Sequence, residues 1–198
     1  MTEPLNDAPK KMPVVFKLLI FGVPLLTIAA VVLGAFVPSV ALADLSILGM
    51  TYQCSVSQAF RSLEVLHDRE SRTKAIRDSA QLIQSDGAYS LWRTRDGDFW
   101  IPERNADTLA YNLAEQEQAV YGRGSQGVHP GEVVLDGGAN VGVFTRAALA
   151  AGASKVISIE PAPENVESLR RNFAEEIKSG RVVIQSVGIW DQAGELPL

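Results

Sequence analysis

Asp136, Gly138, Asn140 and Gly142 fall within one stretch, "VVLDGGANVGVFT" (Val133–Thr145), and Glu160 closes a second apolar run, "KVISIE". An acid at the end of an apolar run, followed at once by glycines, sets a carboxylate beside backbone that a ligand can approach closely. Dinucleotide-binding turns carry G-x-G-x-x-G at this place to hold a pyrophosphate. Here Gly137 and Gly142 keep that register, but Ala139 holds the middle position. Starting instead from Gly138 puts Asn140 where the second glycine belongs. A carboxylate repels phosphate and attracts a cation. Glu160 stands where an acid accepts hydrogen bonds from ribose hydroxyls. Together the two acids point to a nucleoside that lacks phosphates and carries a positive or amino-acid end.

Positioning them requires alternating elements, and residues 132–198 supply the pattern. "EVVLD" reads as a buried strand, 141–153 as a helix ended by Gly152, and "KVISIE" as a second strand. A second helix over 163–177 has proline in its first turn, and a third strand lies within 181–190. Strand, helix, strand, helix, strand with short connections predicts right-handed parallel crossovers in a doubly wound α/β sheet, which binds ligands beyond the carboxyl ends of its strands. Upstream, 89–131 reads as a hairpin, "YSLWRTRDGDFWIP", and a helix over 108–121. The default role of Trp92 and Trp100 is packing the hairpin on the main domain. Leu109, Leu113 and Val120 form one side of the helix, with Glu115, Gln116 and Glu117 facing outward or toward a ligand.

Residues 44–88 read as a juxtamembrane segment, helical over 56–83, where Val56, Phe60, Leu63, Leu66, Thr73, Ile76, Ala80 and Ile83 recur at helical steps. Copies of the chain could pair there, although Glu70 and Arg77 interrupt a clean heptad seam. Before it, 18–43 carries no charge and exceeds the ~20 residues a spanning helix needs. Gly22, Pro24, Gly34 and Pro38 allow a kink or a hairpin within it, the plain span being preferred. The rival reading is a cleaved secretory signal, with "ALA" (Ala41–Ala43) as its site, but the run is longer than a signal's apolar region. The expectation is therefore a cytoplasmic tail over 1–17 and a single-pass membrane anchor over 18–43. Lys10, Lys11 and Lys17 before the span favour a cytoplasmic N-terminus and an external body.

The whole chain has 198 residues, 18 basic and 23 acidic, for a net charge of −5, so no basic surface argues for nucleic acid. Cys54 is the single cysteine, which excludes an intrachain disulfide and a cysteine-based metal site. His67 and His129 are isolated, and no metal is expected.

S-adenosylmethionine fits the description of the ligand. "EQEQAVYG", the run from Pro130 to Phe173 and "VGIWDQAGEL" resemble the FkbM-type family of S-adenosylmethionine-dependent methyltransferases, over roughly 89–198. The resemblance implies a Rossmann-like methyltransferase fold, of which 132–198 would be the N-terminal half of the sheet. Asp136, Gly138, Asn140 and Gly142 would then lie beside the methionine part of the cofactor. Glu160 would hold the ribose; Pro161, Ala162 and Asn165 would line the adenosine side; Ser186 and Val187 would approach adenine. It further implies methyl transfer to an oxygen of a small-molecule acceptor, such as a glycan or lipid-linked sugar. Proteins of this type continue with further strands and an "IKxDxEGxE"-like segment, whereas this chain stops at "GELPL", so a fragment is expected and no catalytic residue is assigned. A cytosolic cofactor outweighs the three lysines and turns the methyltransferase domain toward the cytoplasm. Two other readings stay open: a catalytically incomplete, membrane-tethered binding module, and an NAD-binding oxidoreductase, which Ala139 and Asn140 disfavour.

Overall fold

The computed structural model describes Leu26, Ile28, Ala29, residues 56–192 and Gly194. The chain divides into two compact units, 1–67 and 68–198. In the first, Leu26, Ile28 and Ala29 are helical, and helix α1 (Val56–Ser79) begins.

Among the described residues no helix is long and apolar enough to cross a membrane. The expected transmembrane helix over 18–43 is corrected on that finding. Apart from Leu26, Ile28 and Ala29, the segment lies outside the described residues, as do 1–17 and 44–55. The longest described helix, α1, carries arginines, glutamates and aspartates throughout and cannot supply the span. The membrane anchor, the single-pass localisation with a cytoplasm-facing domain and the membrane as a partner are withdrawn with it.

In the second unit α1 ends at Ser79, short of the expected 83. The Ser79 hydroxyl donates to the Ile76 carbonyl at 3.0 Å, a local bond that competes with helix continuation. Residues Gln81–Ser85 form a strand, β1, that the periodicity missed. Thr73 and Ile76 are buried, whereas Ile83 is exposed on the strand. β1 pairs antiparallel with β2 (Tyr89–Thr94), and β2 with β3 (Gly97–Pro102) across the two-residue turn Arg95–Asp96. The Asp86 carboxylate accepts the amides of Ala88 and Tyr89, which turns the chain into β2. Helix α2 follows at Ala106–Glu117, ending before Val120, which is exposed. Leu109 and Leu113 are buried as expected and join Ile76, Phe99, Ile101 and Val141 in one core.

The second sheet is parallel, in the order β4 (Val133–Gly137), β5 (Lys155–Ile159), β6 (Val182–Gln185), as the alternation predicts. Helix α3 (Val143–Ala150) connects β4 to β5. The second connection, expected as one helix over 163–177, is broken at Phe173 into α4 (Pro163–Asn172) and α5 (Ala174–Lys178). Leu149 of α3, Leu169 of α4, Ile177 of α5 and Val182 and Ile184 of β6 share one apolar cluster, so these helices cover the same sheet face. On β4 the alternate residues Val133 and Leu135 face away from that cover and are exposed.

Asn172, at the end of α4, ties the two sheets together. Its side chain accepts the Trp100 amide at 2.6 Å and donates to the carbonyls of Trp100 and Val141, both at 2.9 Å. The Trp100 backbone therefore ties the hairpin to α4, while the partly buried Trp92 side chain packs against the core, and one bond of the set reaches the glycine loop.

Candidate functional site

β4 and β5 run in register, with Asp136 opposite Ser158, so both side chains point to the helix-covered face. Thr145 of α3 meets them there. Its hydroxyl donates to Asp136 Oδ2 at 2.5 Å and lies 2.8 Å from Ser158 Oγ. All three are buried. Burial pushes the Asp136 carboxyl up from its ordinary value, the Thr145 hydrogen bonds oppose the rise, and the nearby Glu160 charge adds to it.

Glu160 follows β5 directly and is equally buried, but its partners are different. Oε2 accepts the Asn140 amide at 2.8 Å; Oε1 accepts the Ala162 amide at 2.9 Å and the Asn165 side-chain amide at 3.3 Å. One carboxylate thus pins the glycine loop to the start of α4. Asn165 is buried behind it, and its Oδ1 has no partner among the described residues.

The loop between β4 and α3 turns three times through left-handed backbone, at Gly138 (φ +78°), Asn140 (φ +49°) and Gly142 (φ +92°). Asn140 tolerates this because a short polar side chain can bond locally. Its Oδ1 accepts the Val141 amide at 2.9 Å. A Cβ on Gly138 would meet nothing within 4 Å, whereas one on Gly142 would come 2.2 Å from the Phe173 ring. Gly138 is open to a ligand; Gly142 is a packing glycine.

Every amide from Gly138 to Gly142 is already bonded inside the protein. Those of Gly138 and Ala139 donate to the Ile159 carbonyl, both at 2.9 Å, and that of Gly142 to the Ala139 carbonyl at 2.8 Å. Asn140 donates to Glu160 and Val141 to Asn140, as above. The loop therefore offers a ligand no free amide from these five residues. What it presents is the Asp136 carboxylate.

Above it lies a cleft of about 450 Å³, within the usual range of small-molecule sites. Asn112, Tyr121, Asp136, Gly138, Asn140 and Phe144 line it. Of the residues the sequence singles out, the structure brings Asp136, Gly138 and Asn140 together on this wall. Gly142 and Glu160 support the loop from behind. Pro161 and Ala162 are half-buried in the turn into α4, while Ser186 and Val187 follow β6, exposed, and do not line the cleft.

Asn112, Tyr121 and Phe144 were not anticipated. Asn112 donates to Asn140 Oδ1 at 3.5 Å, and the Tyr121 and Phe144 rings sit 5.2 Å apart at 52°. Glu115, expected to face outward or toward a ligand, instead binds Arg69 at 2.9 Å and accepts from the Tyr121 hydroxyl at 3.4 Å. Glu117 pairs with Arg72 and Arg95. Among the described residues no group of three or more His, Cys, Asp or Glu could hold a metal ion.

No protein-family model matches the chain, and no curated protein does. Solved structures similar to part of it include two methyltransferase-fold proteins. One, from Pyrococcus horikoshii and described as an RNA methyltransferase, is 24% identical, with a TM-score of 0.31, over 59% of this chain and 48% of that one. The other, the methyltransferase FkbM from Methylobacillus flagellatus, is 15% identical, with a TM-score of 0.25, over 61% of this chain and 32% of that one. This chain thus spans about half the length of the first and a third of the second. Both are weak likenesses to methyltransferase-fold proteins and do not specify the FkbM family, so the roles of residues rest on the geometry above.

The small-molecule acceptor, glycan or lipid-linked sugar, is also withdrawn. The polar side chains that line the cleft, Asn112, Tyr121, Asp136 and Asn140, do not point to such an acceptor.

Proposed function

We propose that the cleft beyond β4 binds S-adenosylmethionine and that 132–192 is part of a methyltransferase-type core. The observation that carries this reading is the donor and acceptor balance of the loop. All five amides from Gly138 to Gly142 are engaged internally, and a buried carboxylate lines the cleft in their place. A pyrophosphate needs free amides and repels a carboxylate. A ligand with a cationic end needs the reverse. The Asp136 carboxylate in the cleft disfavours a pyrophosphate, and so NAD, on grounds independent of the glycine spacing.

In this reading Asp136 holds the cationic end, and Gly138 gives the backbone clearance for it. Glu160 accepts two hydrogen bonds on Oε1 and one on Oε2. A carboxylate oxygen accepts about two, which leaves Oε2 able to take a ribose hydroxyl. Asn165 and the Pro161–Ala162 turn lie on the same side, and the resemblance of the 133–172 run to FkbM-type methyltransferases supports the assignment. When bound, the cofactor supplies an activated methyl group. The residues described here bind and orient it.

Calorimetric titration of the full chain with S-adenosylmethionine and, separately, NAD tests the reading. Micromolar binding of the first and none of the second is expected. Asp136→Ala should weaken S-adenosylmethionine binding by about 30-fold or more, as for loss of one partner of a buried charge pair. Tighter binding of NAD, or equal binding of S-adenosylmethionine to the variant, would overturn it.

A further inference from the structure

The aromatic pair on the cleft wall does no work that the cofactor reading has yet used. Tyr121 lies beyond the end of α2 and Phe144 in the first turn of α3, and both line the cleft with Asp136. Their rings are tilted, with centroids 5.2 Å apart. Phe144 is partly buried, and Tyr121 is 53% exposed. Tyr121 is not left loose. Its hydroxyl donates to Glu115 Oε2, and Glu115 is itself fixed by Arg69 Nη1, which also donates to the Tyr111 hydroxyl at 2.8 Å. A hydrogen-bonded chain running from α1 through α2 thus holds an exposed ring at the rim of a cleft that contains a buried carboxylate.

A carboxylate together with aromatic faces is the chemistry that recognises a cation too weakly hydrated or too alkylated to be held by hydrogen bonds. The ring quadrupole attracts the charge, and the carbons attached to the cationic centre pack on the ring. An ammonium with free hydrogens is recognised equally well by carboxylate and carbonyl acceptors. A sulfonium has no hydrogen to donate, so a ring face is the partner that suits it. Glu160, by contrast, does not line the cleft.

Resting on the S-adenosylmethionine reading, we infer that Tyr121, backed by Phe144, is the sulfonium-recognising wall of the cleft and makes the site prefer the charged cofactor over its neutral thioether product. Loss of the methyl group removes the charge, and with it the attraction to the ring and to Asp136. The product then keeps only its adenosine-side and amino-acid contacts. Tyr121 is a specificity-determining residue in this role, Glu115 a positioning residue that fixes the ring's orientation, and the preference drives exchange of product for fresh cofactor.

The test compares three ligands on the full chain by calorimetry: S-adenosylmethionine, S-adenosylhomocysteine and sinefungin, which carries an ammonium in place of the sulfonium. In Tyr121→Leu, S-adenosylmethionine should bind about 5- to 30-fold more weakly, the range of a desolvated cation–π contact, and sinefungin, whose ammonium can donate to Asp136, should lose less. S-adenosylhomocysteine should stay within about twofold. Tyr121→Phe keeps the ring and should restore the preference, which a role through the hydroxyl alone would not. Phe144→Leu should show a smaller shift in the same direction. An equal loss for all three ligands in Tyr121→Leu would overturn the sulfonium wall while leaving the cofactor site standing. If the unaltered chain binds none of the three, the cofactor reading itself falls, and this inference with it.

Discussion

Asp136 and Glu160 occupy matching places, each at the carboxyl end of a parallel strand and each about 6% exposed, yet their surroundings are opposite. Glu160 is wrapped in donors from its own chain: two backbone amides and the Asn165 side chain. It behaves as a strut that sets the loop's shape. Asp136 receives hydrogen bonds from Thr145 alone and sits against hydroxyls and apolar neighbours, so burial raises its pKa. A buried carboxylate left short of compensation costs stability, and such groups persist where a ligand supplies what is missing. The two acids that look equivalent in the sequence therefore divide the work: Glu160 holds the loop's shape and keeps one acceptor position on Oε2, and Asp136 faces the cleft.

Removing each acid breaks the comparison in a different way. The largest effect is expected for Glu160→Ala, which leaves two backbone amides and the Asn165 amide without their acceptor. Chemical denaturation should show a loss of about 2 to 4 kcal/mol, with S-adenosylmethionine binding impaired because the loop loses its shape. A change below about 0.5 kcal/mol would mean that water replaces the carboxylate freely and that the strut role is wrong. A smaller loss, about 1 to 3 kcal/mol, is expected for Thr145→Val, which keeps the side chain's volume but strips the hydroxyl from between Asp136 and Ser158. That variant should also raise the Asp136 pKa further, visible by NMR titration of the carboxyl carbon. An unchanged pKa would show that the Thr145 hydroxyl does not tune the acid.

How much of this could be read from the chain follows the same division. The strand ends were legible because an apolar run followed by an acid and glycines has one structural interpretation, and 133–185 folds into the expected parallel units with boundaries moved by a few residues. The functions of the individual glycines were not legible. Gly142 reads like Gly138, but its reason is the Phe173 ring 31 residues away in sequence, a tertiary contact that local pattern cannot reveal. The break at Phe173 is hidden for the same reason: its side chain is buried against the loop glycine, which overrides a helical pattern that runs through it. Asn112 and Tyr121 lay out of reach because they come to the cleft through the packing of α2 on α3, which one sequence does not specify. β1 was hidden by the helical spacing of Ala80 and Ile83, and "QLIQS" shows no strand alternation of its own, since all five of its residues are exposed. Ser186 and Val187 were placed by resemblance, and the structure leaves them exposed after β6.

The smallest effect on stability at neutral pH, and the sharpest test of the contrast, is expected for Asp136→Asn. Asparagine can still accept the Thr145 hydroxyl and carries no charge to desolvate, so stability should stay within about 1 kcal/mol of the parent or rise. The pH dependence gives the sign. The folded pKa of Asp136 lies above its unfolded value, so the folded state binds the proton more tightly. The contribution of Asp136 to stability is therefore greatest below its unfolded pKa of about 3.9 and is lost as pH rises through the raised folded value. Carboxyls held low, such as Asp86 at about 2 beside Arg171, act in the opposite sense and weaken the fold as pH falls. Subtracting the variant's denaturation curve from the parent's at each pH removes those shared terms and isolates Asp136. The difference should favour the parent at low pH and decline as pH rises above about 3.9. A cation in the cleft must reverse this, because it stabilises the ionised acid. Saturating S-adenosylmethionine should flatten or invert the decline in the parent and leave the variant unchanged. A decline that persists in the presence of bound ligand would place the cationic end away from Asp136 and remove the distinction between the two acids.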